Sequence, residues 1–187
     1  MVCSTAATSC RTASFGRNAH ANASGLMGEV VAYSTSLLSD SDLTAIATYI
    51  KSLAPSPELA SPAPDAAAMH SGSSVFFDNC TACHLAEGRG QAGMFPPLKG
   101  SAVAQQSDPT GVIRLILAGT RTAPTRSRSS FQSMPSFAWK LSDQEIADVA
   151  TYVRNSWGNR APPVDAHQVA ALRSKLKLTH PVTADRR

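Results

Sequence analysis

The chain lacks any long hydrophobic run. Val112–Ala118 is interrupted by Arg114 and falls far short of the ~20 residues a membrane-spanning helix needs. Charge is also scarce: 16% of residues are charged and the formal net charge is only +4, too mild to argue for nucleic acid. Runs of β-branched residues are short, which disfavours sheet. No second C-x-x-C and no H-x-x-x-H exists, so the paired ligand groups of a structural zinc site are missing. No βαβ pattern surrounds the single C-x-x-C, which removes the usual setting of a redox dithiol. The first residues, Met1 to Ala7, have no apolar core and do not read as a signal peptide.

What is present is Cys80-Thr81-Ala82-Cys83-His84, the C-x-x-C-H signature of covalent c-type haem attachment. Two thiols on one helical turn can each add to a vinyl group of the same porphyrin. The histidine directly after the second thiol then lies under the iron as a proximal ligand. The adjacent His84 separates this motif from a bare C-x-x-C. Cys3 and Cys10 belong to no motif and read as incidental. Such haem is attached on the oxidising side of a membrane, so the weak N-terminus implies that an export signal is missing from this chain or that Met1 is not the natural start.

Taken in order, residues 1–24 are small and polar and read as irregular. Residues 38–53 form an amphipathic helix with Leu43, Ile46, Ala47, Ile50 and Leu53 on one face and Ser39 as N-cap. Four prolines at 55, 57, 62 and 64 mark residues 55–68 as a semi-rigid linker. A helix over about 70–82 carries Gly72, Phe76 and Cys80 on one side and runs into the motif. Residues 85–100 are a Gly- and Pro-rich loop. Asp108–Leu117 reads as a helix with Asp108 as N-cap, Pro109 first and Gly119 past its end. Residues 120–140 are irregular and include Arg121, Arg126 and Arg128. Ser142 and Glu145 make a capping box for a helix over 142–156 with Ile146, Val149, Ala150 and Val153 as its stripe. Asp165–Lys177 is a short extra helix within a basic tail, 158–187.

The two strong helices repeat. Leu38-Ser39-Asp40 matches Leu141-Ser142-Asp143, and Ala47-Thr48-Tyr49 matches Ala150-Thr151-Tyr152. The offset is 141 − 38 = 103 residues, a plausible domain length. A haem motif for the first copy would precede Met1. Domain organisation follows: 1–54 is the back end of a domain lacking its C-x-x-C-H, 55–68 a linker, 69–157 a complete domain and 158–187 a tail.

A low-spin carrier haem needs a sixth ligand, and a thioether suits it. Met134, in a loop stiffened by Pro135 and placed just before the 142–156 helix, is the preferred residue. Met94 reads as rim or core, and His70 as a weaker alternative at the start of the motif helix. A carbonyl at Pro96 could accept the His84 ring N–H. Trp139 and Arg121 are candidates for haem propionates, with core packing and solvation as equal alternatives.

Gly72-x3-Phe76-x3-Cys80-x-x-Cys83-His84, Pro96-x-Leu98, Met134-Pro135 and the helix carrying Tyr152 together resemble class I cytochrome c over about 69–157. The stretches Met134–Asp143 and Val153–Asn159 are similar to the third haem domain of the tri-haem cytochrome subunits of bacterial membrane-bound alcohol and gluconate dehydrogenases. Gly16 through Leu53 is similar to the end of the second haem domain of those subunits, where Met27 stands at an axial-ligand position. The resemblance implies an all-α class I cytochrome c fold preceded by a partial cytochrome c-like domain. It implies one covalent haem c, anchored by Cys80 and Cys83 and ligated by His84 and Met134. It further implies a periplasmic place at the inner-membrane face, with electrons passed from a dehydrogenase subunit toward quinone or another redox protein. Membrane association would come only through partners. The chain would be an electron carrier and not an enzyme. Two alternatives stand beside this: a non-exported fragment without haem, and a haem enzyme or sensor with an open sixth position.

Overall fold

A computed structural model describes residues 16–54, 61–122, 124–125 and 129–179. The expectations for Cys3, Cys10, Arg126 and Arg128 lie outside them. The described residues are predominantly helical and divide into two compact units.

The N-terminal unit holds α1 (Leu26–Tyr33), a 3-10 turn (Thr35–Leu37) and α2 (Asp40–Ser52). Ser39 caps α2 as expected, its hydroxyl accepting from the Asp42 N–H at 3.2 Å, a contact worth about 1 kcal/mol. The expected apolar face is only half covered: Leu43 and Ala47 are buried, whereas Ile46, Ile50 and Leu53 are exposed. Among the described residues this unit also includes 92–96, 120–122, 124–125 and 129–133, which sequence reading assigned to the domain at 69–157. Their hydrogen bonds explain the difference. The Arg17 guanidinium donates to the Gly93 carbonyl. The Gln132 amide donates to the same carbonyl at 3.2 Å, and its oxygen accepts from Asn22 at 3.2 Å. Ser24 bridges to Thr122.

The motif unit comprises 61–91, 97–119 and 134–179 among the described residues. Its first helix, α3 (Ala66–Asn79), starts inside the stretch expected to be linker. Asp65 caps it, its carboxylate accepting from the Ala67 and Ala68 N–H groups at 3.1 and 3.2 Å, and the three alanines that follow have the highest helix propensity. The helix breaks at Cys80 (φ −118°), and a single turn, α4 (Thr81–His84), follows. Helix α5 (Thr110–Ala118) begins later than expected, with Pro109 in the cap position. The Asp108 carboxylate still accepts from the Thr110 N–H and hydroxyl, at 2.9 and 2.6 Å. Gly119 ends α5 with φ +67°, a conformation that favours glycine. A short ladder pairs β1 (Thr120–Arg121) with β2 (Ser133–Met134), in a region expected to be irregular and grouped up to Ser133 with the N-terminal unit. Helix α6 (Asp143–Asn155) has the predicted Ser142–Glu145 capping box.

Helix α7 (Ala166–Lys175) has its own box, Asp165 with Gln168. The region expected as a tail is therefore built into the unit: Val169 is fully buried in the core, and so is Arg173.

The core forms where α3 crosses α6. A Cβ on Gly72 would meet the Asp148 carbonyl and the Tyr152 Cβ, so glycine permits the approach. Phe76 is wholly buried, its ring centroid 5.5 Å from Tyr152 and 5.1 Å from Trp157. All four residues of the predicted α6 stripe are buried, and Val112, Ile113, Ile116 and Leu117 of α5 complete the cluster. Each valine, leucine, isoleucine or phenylalanine among them contributes about 1.5–3 kcal/mol on burial.

Candidate cofactor site

The site begins at the break between α3 and α4. Because α3 stops at Cys80, the next turn restarts from its carbonyl: the Cys83 and His84 N–H groups both donate to it, at 3.2 and 2.9 Å. Cys80, Cys83 and His84 thus share one tight turn, each half-buried. Leu85, at φ +60°, ends that turn, and the Gly90 N–H returns to the His84 carbonyl at 3.0 Å. Both thiols are free. Burial pushes the Cys80 thiol from 9.0 up to about 11; the neighbouring Cys83 adds to this and the Lys140 ammonium opposes it.

The chain then doubles back. The Gly88 carbonyl accepts from the Leu98 and Lys99 N–H groups at 2.7 and 3.0 Å. A Cβ on Gly88 (φ +61°) would enter the Trp157 ring, and the Trp157 indole donates to the Ala86 carbonyl at 3.1 Å. Asn159, buried, donates to the Leu98 and Val153 carbonyls at 2.8 Å each and accepts from the Gly100 N–H at 2.9 Å. Arg154, fully buried, donates to the Gln106 carbonyl at 2.8 Å and the Pro162 carbonyl at 2.9 Å. Sequence reading gave neither residue a role. The run Arg154-Asn155-Ser156-Trp157-Gly158-Asn159 just past a strong helix was the available signal.

Met134 belongs to the same unit as the motif. It is half-buried against the core and its backbone crosses Gly119 so closely that a Cβ there would strike the Met134 carbonyl. The following residues are tied to the end of α5: the Ser136 hydroxyl donates to the Leu117 carbonyl at 2.6 Å and the Phe137 N–H to the Ile116 carbonyl at 3.0 Å.

The remaining candidates divide between the two units. Trp139 is 66% exposed. Arg121 is exposed and stacks over the Phe131 ring at 4.1 Å, a cation–π contact. Both Arg121 and Pro96 group with the N-terminal unit. Met94 and Met27 are exposed, and so is His70.

The residues present fit a covalently held haem. One unit offers two free thiols, an imidazole and a thioether. Val75, Cys80, Leu98, Met134 and Phe137 pack on the core yet stay partly open, the kind of apolar rim a flat macrocycle covers. Among the described residues no group of three or more His, Cys, Asp or Glu assembles.

Comparison with known proteins agrees with that chemistry. A family model described as cytochrome c matches residues 69–157. The chain is 40% identical over 170 residues to the cytochrome c subunit of a quinone alcohol dehydrogenase from Gluconobacter oxydans, covering 85% of this chain and 36% of that protein. It is 37% identical over 174 residues to the gluconate 2-dehydrogenase cytochrome c subunit of Pantoea cypripedii, covering 85% and 39%. It is 28% identical over 119 residues to cytochrome c-552 of Thermus thermophilus, covering 59% and 91%. The chain thus spans little more than a third of the length of the dehydrogenase subunits it matches. Among the described residues no helix is long and apolar enough to cross a membrane.

Proposed function

We propose an electron-transfer function, from the premise that the chain belongs, through residues 69–157, to the cytochrome c family. The observation that carries the reading is the single turn holding two free thiols and His84 in the unit that also holds Met134. Covalently bound haem c supplies a one-electron iron couple. Cys80 and Cys83 are the thioether anchors. His84, on the motif turn, would ligate the iron. Met134 would supply a further ligand to the iron, and a thioether there would favour the reduced state. Trp139, exposed in the same unit as the motif, is a candidate partner for a haem propionate.

The number of haems on this chain is one. The chain turns over no substrate. It acts as part of a cytochrome subunit that takes electrons from a dehydrogenase subunit and passes them toward quinone at the periplasmic face of the inner membrane. The relatives, named as cytochrome c subunits of alcohol and gluconate dehydrogenases, support the partner class. Denaturing mass spectrometry of exported protein tests the reading: the wild type carries the mass of one haem, and Cys80→Ala/Cys83→Ala carries none. Wild type without added mass would overturn it.

A further inference from the structure

Arg173 stands on α7, beyond the residues that the family model matches. It is fully buried. Its guanidinium Nη1 donates to the Ala138 carbonyl at 2.7 Å and Nη2 to the Leu141 carbonyl at 2.8 Å. Nε meets the Asp143 carboxylate at 2.7 Å, and Nη1 also reaches the Thr179 carbonyl at 3.1 Å. A planar fork of fixed donors suits this cluster of acceptors, and lysine could not reproduce it.

Ala138 and Leu141 lie within one turn, which closes where the Leu141 N–H donates to the Phe137 carbonyl at 2.9 Å. That turn is the far end of the arm that begins at Met134. The near end is tied to α5 through Ser136 and Phe137. The arm therefore has two anchors, the C-terminal end of α5 and Arg173. Val169, fully buried one turn before Arg173, fixes α7 itself to the core.

We infer that Arg173 is a positioning residue for Met134, and that α7 is a strap setting how firmly the thioether holds its place. This rests on the reading of Met134 as the axial ligand. An arm anchored at one end only samples open conformations more often, and an external ligand then competes better for the vacated position.

The test uses the full, haem-loaded ferric chain titrated with imidazole, following loss of the far-red sulfur-to-iron charge-transfer band. Arg173→Gln is expected to lower the half-saturating imidazole concentration about tenfold, the size of one lost charge-assisted hydrogen bond. Arg173→Lys is expected to fall between it and the wild type. Met134→Leu separates the two ideas. If the band survives that substitution, the ligand assignment fails and the inference falls with it. If Met134→Leu abolishes the band but Arg173→Gln binds imidazole like the wild type, with only its urea midpoint lowered, Arg173 serves stability alone and the inference is overturned. Should Arg173→Gln not fold, Asp143→Asn keeps the carbonyl bonds and removes the ion pair. It is expected to shift the titration about threefold, and no shift overturns the inference.

Discussion

Gly72→Ala isolates the α3–α6 crossing in a single methyl group. The added Cβ would lie 2.6 Å from the Asp148 carbonyl carbon and 2.8 Å from the Tyr152 Cβ. Comfortable carbon contacts lie at about 3.5–4.0 Å, so the helices must part by about 1 Å. Both obstacles are near the backbone and cannot rotate away. Parting the helices also loosens the Phe76–Tyr152 packing. Overpacking of this kind costs about 1–3 kcal/mol, and two backbone obstacles place it toward the upper end. Alanine returns up to about 1 kcal/mol through its helix propensity. The net loss is about 1–2 kcal/mol, and each kcal/mol lowers the Tm of a domain this size by roughly 4–8 °C. Gly111→Ala, in the first turn of α5, is the matched control. Its Cβ would meet only Val103 at 3.4 Å and Gln106 at 3.6 Å, ordinary contacts. It should be neutral or stabilising by up to about 1 kcal/mol. Thermal denaturation followed by far-UV circular dichroism reads both. Equal losses in the two variants, or no loss in Gly72→Ala, would refute the close-crossing argument.

Two further predictions concern titration. In haem-free protein, Cys80 at about 11 against an ordinary 9.0 holds roughly a hundredfold less thiolate at neutral pH. Alkylation mapped by mass spectrometry should show Cys80 reacting far more slowly than the same residue in urea; equal rates would contradict its burial. The raised pKa also means that this thiol's contribution to apoprotein stability is complete below 9 and declines as pH rises toward 11. The Asp108 carboxyl is held below 3.8 by the hydroxyl and N–H of Thr110. Its contribution is therefore complete above that value and lost as pH falls through the lower folded value. Asp108→Asn should flatten the acid limb of a urea-midpoint profile, and an unchanged limb would count against the Asp108–Thr110 bonds.

Features set by neighbours in sequence were legible. The Ser142–Glu145 box, the Ser39 cap, the stop at Gly119 and the α6 stripe all depend on residues a few positions apart. The turn that holds Cys80, Cys83 and His84 was legible for the same reason, since the three residues need only one turn. The misreadings came where a local signal competed or a distant one decided. Four prolines hid the Asp65 cap and the alanines behind it. Pro109 took the cap position expected of Asp108, because its rigid ring enters the first turn while Asp108 bonds Thr110 from outside. Arg173 looked like part of a basic tail, because three of its four acceptors lie 30 or more positions away. Arg154 and Asn159 each have one distant acceptor too, the Gln106 and Leu98 carbonyls. The segments around Gly93, Thr122 and Gln132 joined the N-terminal unit through those residues, contacts that no periodicity announces.

A redox titration of the exported, haem-loaded chain tests the central claim most directly, run on wild type and on Met134→Ala. The account predicts a single one-electron wave for all the haem in the wild type and a lower potential in the variant. Two waves in the wild type, or a potential unmoved by Met134→Ala, would contradict it.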